Sequence, residues 1–207
     1  MDSAIGPFLG TWTLMMAAMM LPSAMPMILV HHRTVATPAR IRSELRSGIF
    51  VGAYIAVWAA SGIVVWLLAR LSDAVLPTYA RPYAVAGVLL LAGVYQLTPL
   101  KTACLGVCRS PMSFVMTHWH PGLRGEVRLG LEHGLYCLGC CWALMAVFVA
   151  AGAMGLIWAA IIALIVLVEK VVPQGVTFGR VVGAALIAGA VLVAVRPEIA
   201  QSLSGNM

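Results

Sequence analysis

Residues 48–69 read GIFVGAYIAVWAASGIVVWLLA, a stretch without a single charged side chain. A helix that crosses the hydrocarbon core of a bilayer needs about 20 such residues. The composition of the whole chain agrees, since 62% of its 207 residues are hydrophobic and 10% are charged. A soluble domain has about 25% charged residues. The sequence therefore predicts an integral membrane protein built from apolar helices.

Six stretches have the length and apolarity of spans, or nearly so. They are residues 8–30, 48–69, 83–97, 129–152, 156–172 and 178–195. We expect a single integral membrane domain over residues 1–207, with an all-α fold: a polytopic membrane helix bundle of about six transmembrane helices. Pro22 and Pro26 lie inside the first stretch and are expected to kink that helix, because proline removes a backbone hydrogen-bond donor.

Basic residues predict the orientation, because Lys and Arg collect in the cytoplasmic loops of membrane proteins. With the N-terminus outside, six spans bring the C-terminus outside as well. The inner loops then hold ten of the 13 basic residues: Arg33, Arg40, Arg42, Arg46, Lys101, Arg109, Arg124, Arg128, Lys170 and Arg180. Arg70, Arg81 and Arg196 remain outside. The largest loop, residues 98–128, is expected to be cytoplasmic. The net charge of +6 is thus explained without a nucleic-acid partner.

The fourth stretch carries the pattern CLGCCW at residues 137–142. His133, Cys137, Cys140 and Cys141 are spaced i, i+4, i+7 and i+8, which places them on one helix face. Soft sulfur ligands select Cu(I), zinc or iron–sulfur centres, and histidine is a common companion. The alternative is that each cysteine is a small hydrophobic core residue. The chain has five cysteines, an odd number, so they cannot all pair within one chain.

Two further groups of sulfur residues are weaker candidates. Cys104 and Cys108 would share a helix face, and the neighbouring Lys101 and Arg109 would favour their thiolate forms. The first stretch carries Met16, Met19 and Met20 on one face; methionines at such spacing also serve as ordinary packing.

Ionisable residues near the spans have two readings. Glu169 follows a long apolar run and is a functional candidate by position, or else Glu169 and Lys170 are interfacial. His31 and His32 begin a basic loop and are expected to be solvated, with metal entry as the alternative. Gln96 is expected to hydrogen-bond across helices.

These segments resemble a bacterial family described as predicted metal-binding integral membrane proteins and classified as a domain of unknown function. The matching pieces are residues 12–22, residues 95–101 leading to Cys104 and Cys108, residues 134–145 with CLGCCW, and Glu169-Lys170. The resemblance implies a multi-pass protein of the bacterial inner membrane that binds a metal. It does not specify the metal or the reaction.

We therefore predict a membrane protein that handles a soft metal, copper(I) by preference with zinc possible, for transport or for delivery to a membrane enzyme. The metal ligands would be Cys137, Cys140, Cys141 and His133, then Cys104 and Cys108, with Met16, Met19, Met20 and Glu169 as weaker candidates. Its partners would be the lipid bilayer and a metal-receiving protein or a larger membrane complex.

Two alternatives stay open. One is a membrane thiol–disulfide redox protein, because Cys137 and Cys140 have the spacing of a redox motif. The other is an accessory or assembly subunit of a larger complex, since Gly179, Gly183 and Gly189 suit close helix packing. No nucleotide-binding loop is evident, so transport driven by ATP hydrolysis within this chain is not predicted, and the question of an enzymatic role stays open.

Overall fold

The computed structural model describes residues 4–35, 40–150 and 156–198. Over these ranges the regular structure consists of α-helices and one short 3₁₀ helix, so the predicted all-α class is confirmed there. The helices are α1 (Ile5–Thr34), α2 (Arg40–Val75), the 3₁₀ helix (Thr78–Ala80), α3 (Arg81–Gln96), α4 (Pro99–Arg109), α5 (Pro111–His118), α6 (Leu123–Ala150), α7 (Leu156–Val171) and α8 (Gly175–Val195).

Within residues 4–35, 40–150 and 156–198, four helices are long and apolar enough to cross a membrane. They are α1, the Ile41–Val75 part of α2, α6 and α8. A fifth crossing is reached only if Thr78–Gln96 and Pro99–Arg109, which meet at a bend of 64°, count as one span. The α7 helix has 16 residues and is too short to qualify. The predicted count of about six spans is therefore not confirmed.

Residues 98–128, expected to form a large loop, are mostly helical. Pro99 and Pro111 open α4 and α5, a position where the missing N–H of proline costs nothing. These short helices have apolar residues to bury, including Leu105, Phe114 and Val115. The segment expected to connect two spans is therefore structured and includes two helices that begin at prolines.

The first helix extends beyond the predicted stretch of residues 8–30 at both ends. It is assigned as one continuous element from Ile5 to Thr34, with Pro22 and Pro26 inside it. The two prolines therefore do not divide α1, and its buried face continues past them to Met27 and His31.

The chain divides into two compact units. The first comprises Met1–Trp66 and Cys104–Gly139. Its core contains a cluster of Met27, Phe50, Phe114, Val115 and Leu129. Close backbone approach supports this packing: a Cβ added at Gly130 would lie 2.4 Å from the carbonyl oxygen of Phe50. At the other end of α1, Trp12 donates its indole N–H to the carbonyl of Trp58 at 3.0 Å.

The second unit comprises Leu67–Ala103 and Cys140–Met207. Here α3 and α8 meet through glycines: a Cβ on Gly93 would lie 2.7 Å from the carbonyl oxygen of Gly183, and one on Gly183 would lie 2.7 Å from Cβ of Gln96. Gly179 is also closely packed, since a Cβ built on it would lie 3.0 Å from a carboxylate oxygen of Glu169. Among the described residues, nothing lies within 4 Å of a Cβ built on Gly189.

Candidate functional site

The CLGCCW segment lies in the middle of α6, which is continuous from Leu123 to Ala150. Continuous helical geometry preserves the predicted spacing of His133, Cys137, Cys140 and Cys141. All four side chains are buried, and the three cysteines are reduced. Cys137 belongs to the first compact unit, whereas Cys140 and Cys141 belong to the second.

Cys137 has a polar neighbour in the first unit. The Tyr54 hydroxyl and the Cys137 sulfur are 3.1 Å apart, within hydrogen-bonding distance. The ring of Tyr54 also stacks on that of His133, with 5.6 Å between centroids. Gly134 allows this close packing, since a Cβ there would lie 2.8 Å from Val57. The α2 helix thus presents a phenol to both the thiol and the imidazole of α6.

The α4 cysteines, Cys104 and Cys108, are half-buried and reduced. Cys104 lies against α6: its sulfur would be 3.1 Å from a Cβ built on Gly139. The structure therefore brings Cys104 to the turn of α6 that follows Cys137. Lys101, expected to favour the α4 thiolates, instead directs its ammonium group to Gln96 and Glu169. The effect of Lys101 on the α4 thiols stays a prediction.

The predicted methionine face of α1 is fully inside the protein. Met16 and Met20 are 0% exposed, and Met19 is 5% exposed. The same buried side of the helix continues to Met27 and His31. This burial is consistent with helix packing and also with metal binding by these methionines, because the thioether is shielded from water in both roles.

A buried polar centre at the end of α1 was missed by the sequence reasoning. His31 is fully buried, not solvated as expected, and its Nε2 contacts a carboxylate oxygen of Glu126. The other oxygen of Glu126 accepts a hydrogen bond from Nε of Arg46 at 2.8 Å. A signal was available, since His31 lies four residues after Met27 and continues the apolar face of α1.

A second buried centre lies in the second unit. Nζ of Lys101 is 2.7 Å from each carboxylate oxygen of Glu169. Gln96 donates its amide to the same carboxylate at 3.1 Å, so its predicted cross-helix hydrogen bond is present. Glu169 is therefore buried inside the protein and paired with Lys101.

Within the described ranges, no three His, Cys, Asp or Glu side chains are grouped closely enough to hold a metal ion together. Methionine sulfur is outside that statement. A closed cage of the kind that holds structural zinc, with four ligands from cysteine and histidine, is therefore not preformed in this part of the chain.

The family to which the chain belongs gives these donors a context. A family model described as PpoB2, copper chaperone, matches residues 9–193, which is most of the chain. The chain belongs to this copper chaperone family. Comparison with curated proteins and with solved structures gives no match. Copper, which the soft sulfur ligands in the sequence favoured, is thus also the metal of the family. The match confirms that the family is related to metals, but it does not confirm the family name that the resemblance suggested.

Proposed function

We propose that this protein is a membrane-embedded chaperone that holds copper(I) on the thiol face of α6 and passes it to a receiving protein. The observation that carries the proposal is the presence of three buried, reduced cysteines at helical spacing on α6, in a chain that belongs to a copper chaperone family. Cysteine sulfur suits Cu(I), which is a soft cation.

The buried setting of these thiols supports copper as their ligand. Thiolates are costly in a desolvated environment unless a cation offsets their charge. The Tyr54 hydroxyl can donate a hydrogen bond to the Cys137 sulfur and so stabilise its negative charge. The absence of a preformed cage among the described side chains suits a carrier, because cargo held by few ligands is exchanged more readily than a structural ion.

The ligands that we propose follow the sequence prediction with one change. Cys137, Cys140, Cys141 and His133 of α6 come first. Cys104 and Cys108 of α4 are entry ligands, and the Met16, Met19 and Met20 thioethers serve ligand exchange. We leave Glu169 outside the copper site, because both of its oxygens already accept hydrogen bonds from Lys101.

The location is part of the proposal. Four long apolar helices favour a membrane protein, and we place it in the bacterial inner membrane with both termini outside. The cytoplasmic side keeps thiols reduced, which suits a Cu(I) site.

Copper analysis of the purified protein tests the ligands. Under reducing conditions, we expect stoichiometric copper in the unaltered protein and a sharp loss in Cys137→Ser, Cys140→Ser and Cys141→Ser. Cys104→Ser and Cys108→Ser should lose less and serve as matched controls. Full copper occupancy in the triple α6 serine variant would contradict the proposal, and cycling disulfides without bound metal would favour the redox alternative.

Transfer to an acceptor tests delivery. Changing Met16, Met19 and Met20 together to Leu should leave the α6 thiols loaded but slow copper release to a Cu(I)-binding acceptor. Leucine conserves volume and apolarity, so each change should cost less than about 1.5 kcal/mol of stability. The control is the same change at the exposed Met25, Met112 and Met116. Equal transfer rates in both variants would return the α1 methionines to a packing role.

A further inference from the structure

His31 in the last turn of α1 is held by the first unit in one orientation. Its ring is fully buried and stacks on Phe50, with 4.5 Å between centroids. Its Nε2 contacts one oxygen of Glu126, and Arg46 donates to the other oxygen. The carboxylate is therefore bonded on both oxygens, and it fixes both the position and the rotation of the imidazole.

The second ring nitrogen of His31 is a buried polar atom with no hydrogen-bond partner among the described residues. An ionised carboxylate only accepts hydrogen bonds, so the ring hydrogen belongs on Nε2. A hydrogen on Nδ1 as well would be a buried donor without an acceptor in the described ranges. Nδ1 thus presents its lone pair, and a histidine whose other nitrogen donates to a carboxylate is the usual form of a metal ligand.

Met27 supplies a sulfur donor one helical turn before His31. It precedes His31 by four residues on α1, so the two side chains lie on the same face in adjacent turns. Met27 belongs to the core cluster that contains Phe50, the ring on which His31 stacks. Met27 is 2% exposed and His31 is fully buried, so the thioether and the imidazole are both shielded from water.

We propose that His31 Nδ1 and Met27 sulfur form a second copper(I) site, separate from the α6 thiols. The inference rests on the proposed function in that copper(I) is the cargo. Both donors are neutral, and the charge of Glu126 is already balanced by Arg46. Such a pair suits a soft monovalent cation, which a thioether binds without losing a proton, better than zinc with its four ligands.

A purely structural role would use only Nε2, and this difference makes the site testable. His31→Gln places an amide donor where Nε2 lies and can keep the contact with Glu126, yet it removes Nδ1. Met27→Leu removes the sulfur and conserves the volume. The chain offers matched controls: His32, half-buried and bonded to Ser47 at 2.9 Å, and the exposed Met25.

The experiment uses the full chain with all five cysteines changed to serine, titrated with Cu(I) against a chromophoric Cu(I) chelator. We expect this protein to retain one copper, with nitrogen and thioether sulfur in its X-ray absorption spectrum. His31→Gln and Met27→Leu should each abolish that copper, whereas His32→Gln and Met25→Leu should retain it. A cysteine-free protein that folds but binds no Cu(I), or equal binding by the His31 and His32 variants, would overturn the inference.

The same substitutions in the cysteine-containing protein separate the two proposals and check folding. There His31→Gln and Met27→Leu should lower the copper content by one equivalent while the α6 thiols stay loaded. An unchanged copper content would overturn the second site and leave the proposed function standing. No copper in the cysteine-containing, unaltered protein would instead overturn the proposed function.

Discussion

At the scale of single residues, the buried ion pair of Lys101 and Glu169 is expected to affect the stability of the second unit. Both side chains are almost fully inside, with exposed fractions of 3% and 2%. Removing two charges from water is expensive, and their attraction offsets this cost only when the geometry and the remaining hydrogen bonds are good. Here the ammonium contacts both carboxylate oxygens, and Gln96 donates to one of them.

Breaking one side of this pair should destabilise the protein strongly. We expect Lys101→Met alone to lower the free energy of unfolding by about 3–5 kcal/mol, because it leaves a buried carboxylate without its partner. The double variant Lys101→Met with Glu169→Leu should recover most of that loss. Chemical unfolding in detergent measures both.

The surface pair Arg128–Glu132 is the matched control, since its side chains are 61% and 25% exposed. Arg128→Ala should cost less than about 1 kcal/mol. A double variant no more stable than Lys101→Met would contradict the account of an ion pair whose members depend on each other.

At the scale of helices, glycine decides how α3 and α8 pack. Gly93 and Gly183 face each other so closely that an added methyl group on either would meet backbone or side-chain atoms within 3 Å. Such contact lets helix backbones approach and gain dispersion energy where no hydrophobic force operates in lipid.

A matched pair of substitutions within α8 tests this contact. Gly183→Ala should lower the melting temperature in detergent, because overpacking costs about 1–3 kcal/mol. Gly189→Ala, in the same helix but with nothing within 4 Å of the added atom, should be neutral or slightly stabilising. Equal melting temperatures for the two variants would show that the α3–α8 contact tolerates a larger separation.

At the scale of the whole molecule, the number of crossings and the side of each terminus are linked. An even number of crossings returns the C-terminus to the side of the N-terminus, as the distribution of basic residues predicts. In the described part of the chain, four helices are long and apolar enough to cross, and a fifth crossing would require the bent Thr78–Gln96 and Pro99–Arg109 pair to act as one span. A bend of 64° fits a broken span or a segment that enters and leaves on the same side.

Reporter fusions distinguish these arrangements. An enzyme active only in the periplasm should work when fused after Met207 and fail when fused near Arg42, and a reporter active only in the cytoplasm should give the opposite pattern. Activity of the periplasmic enzyme at Arg42 would reverse the orientation. Cytoplasmic activity at Met207, with the Arg42 result as expected, would indicate an odd number of crossings.

The sequence by itself determined the helical class, the apolar spans α1, α2, α6 and α8, and the spacing of the α6 ligands, because helical periodicity is a local property of neighbouring residues. Only the tertiary structure decided the bend between α3 and α4, the buried His31 and the pairing of Glu169. The two buried side chains have partners far away along the chain: His31 and Glu126 differ by 95 in residue number, and Lys101 and Glu169 differ by 68. A polar residue at the end of an apolar stretch can be buried only if a distant helix supplies a charged partner. The local sequence pattern does not predict whether such a partner is present.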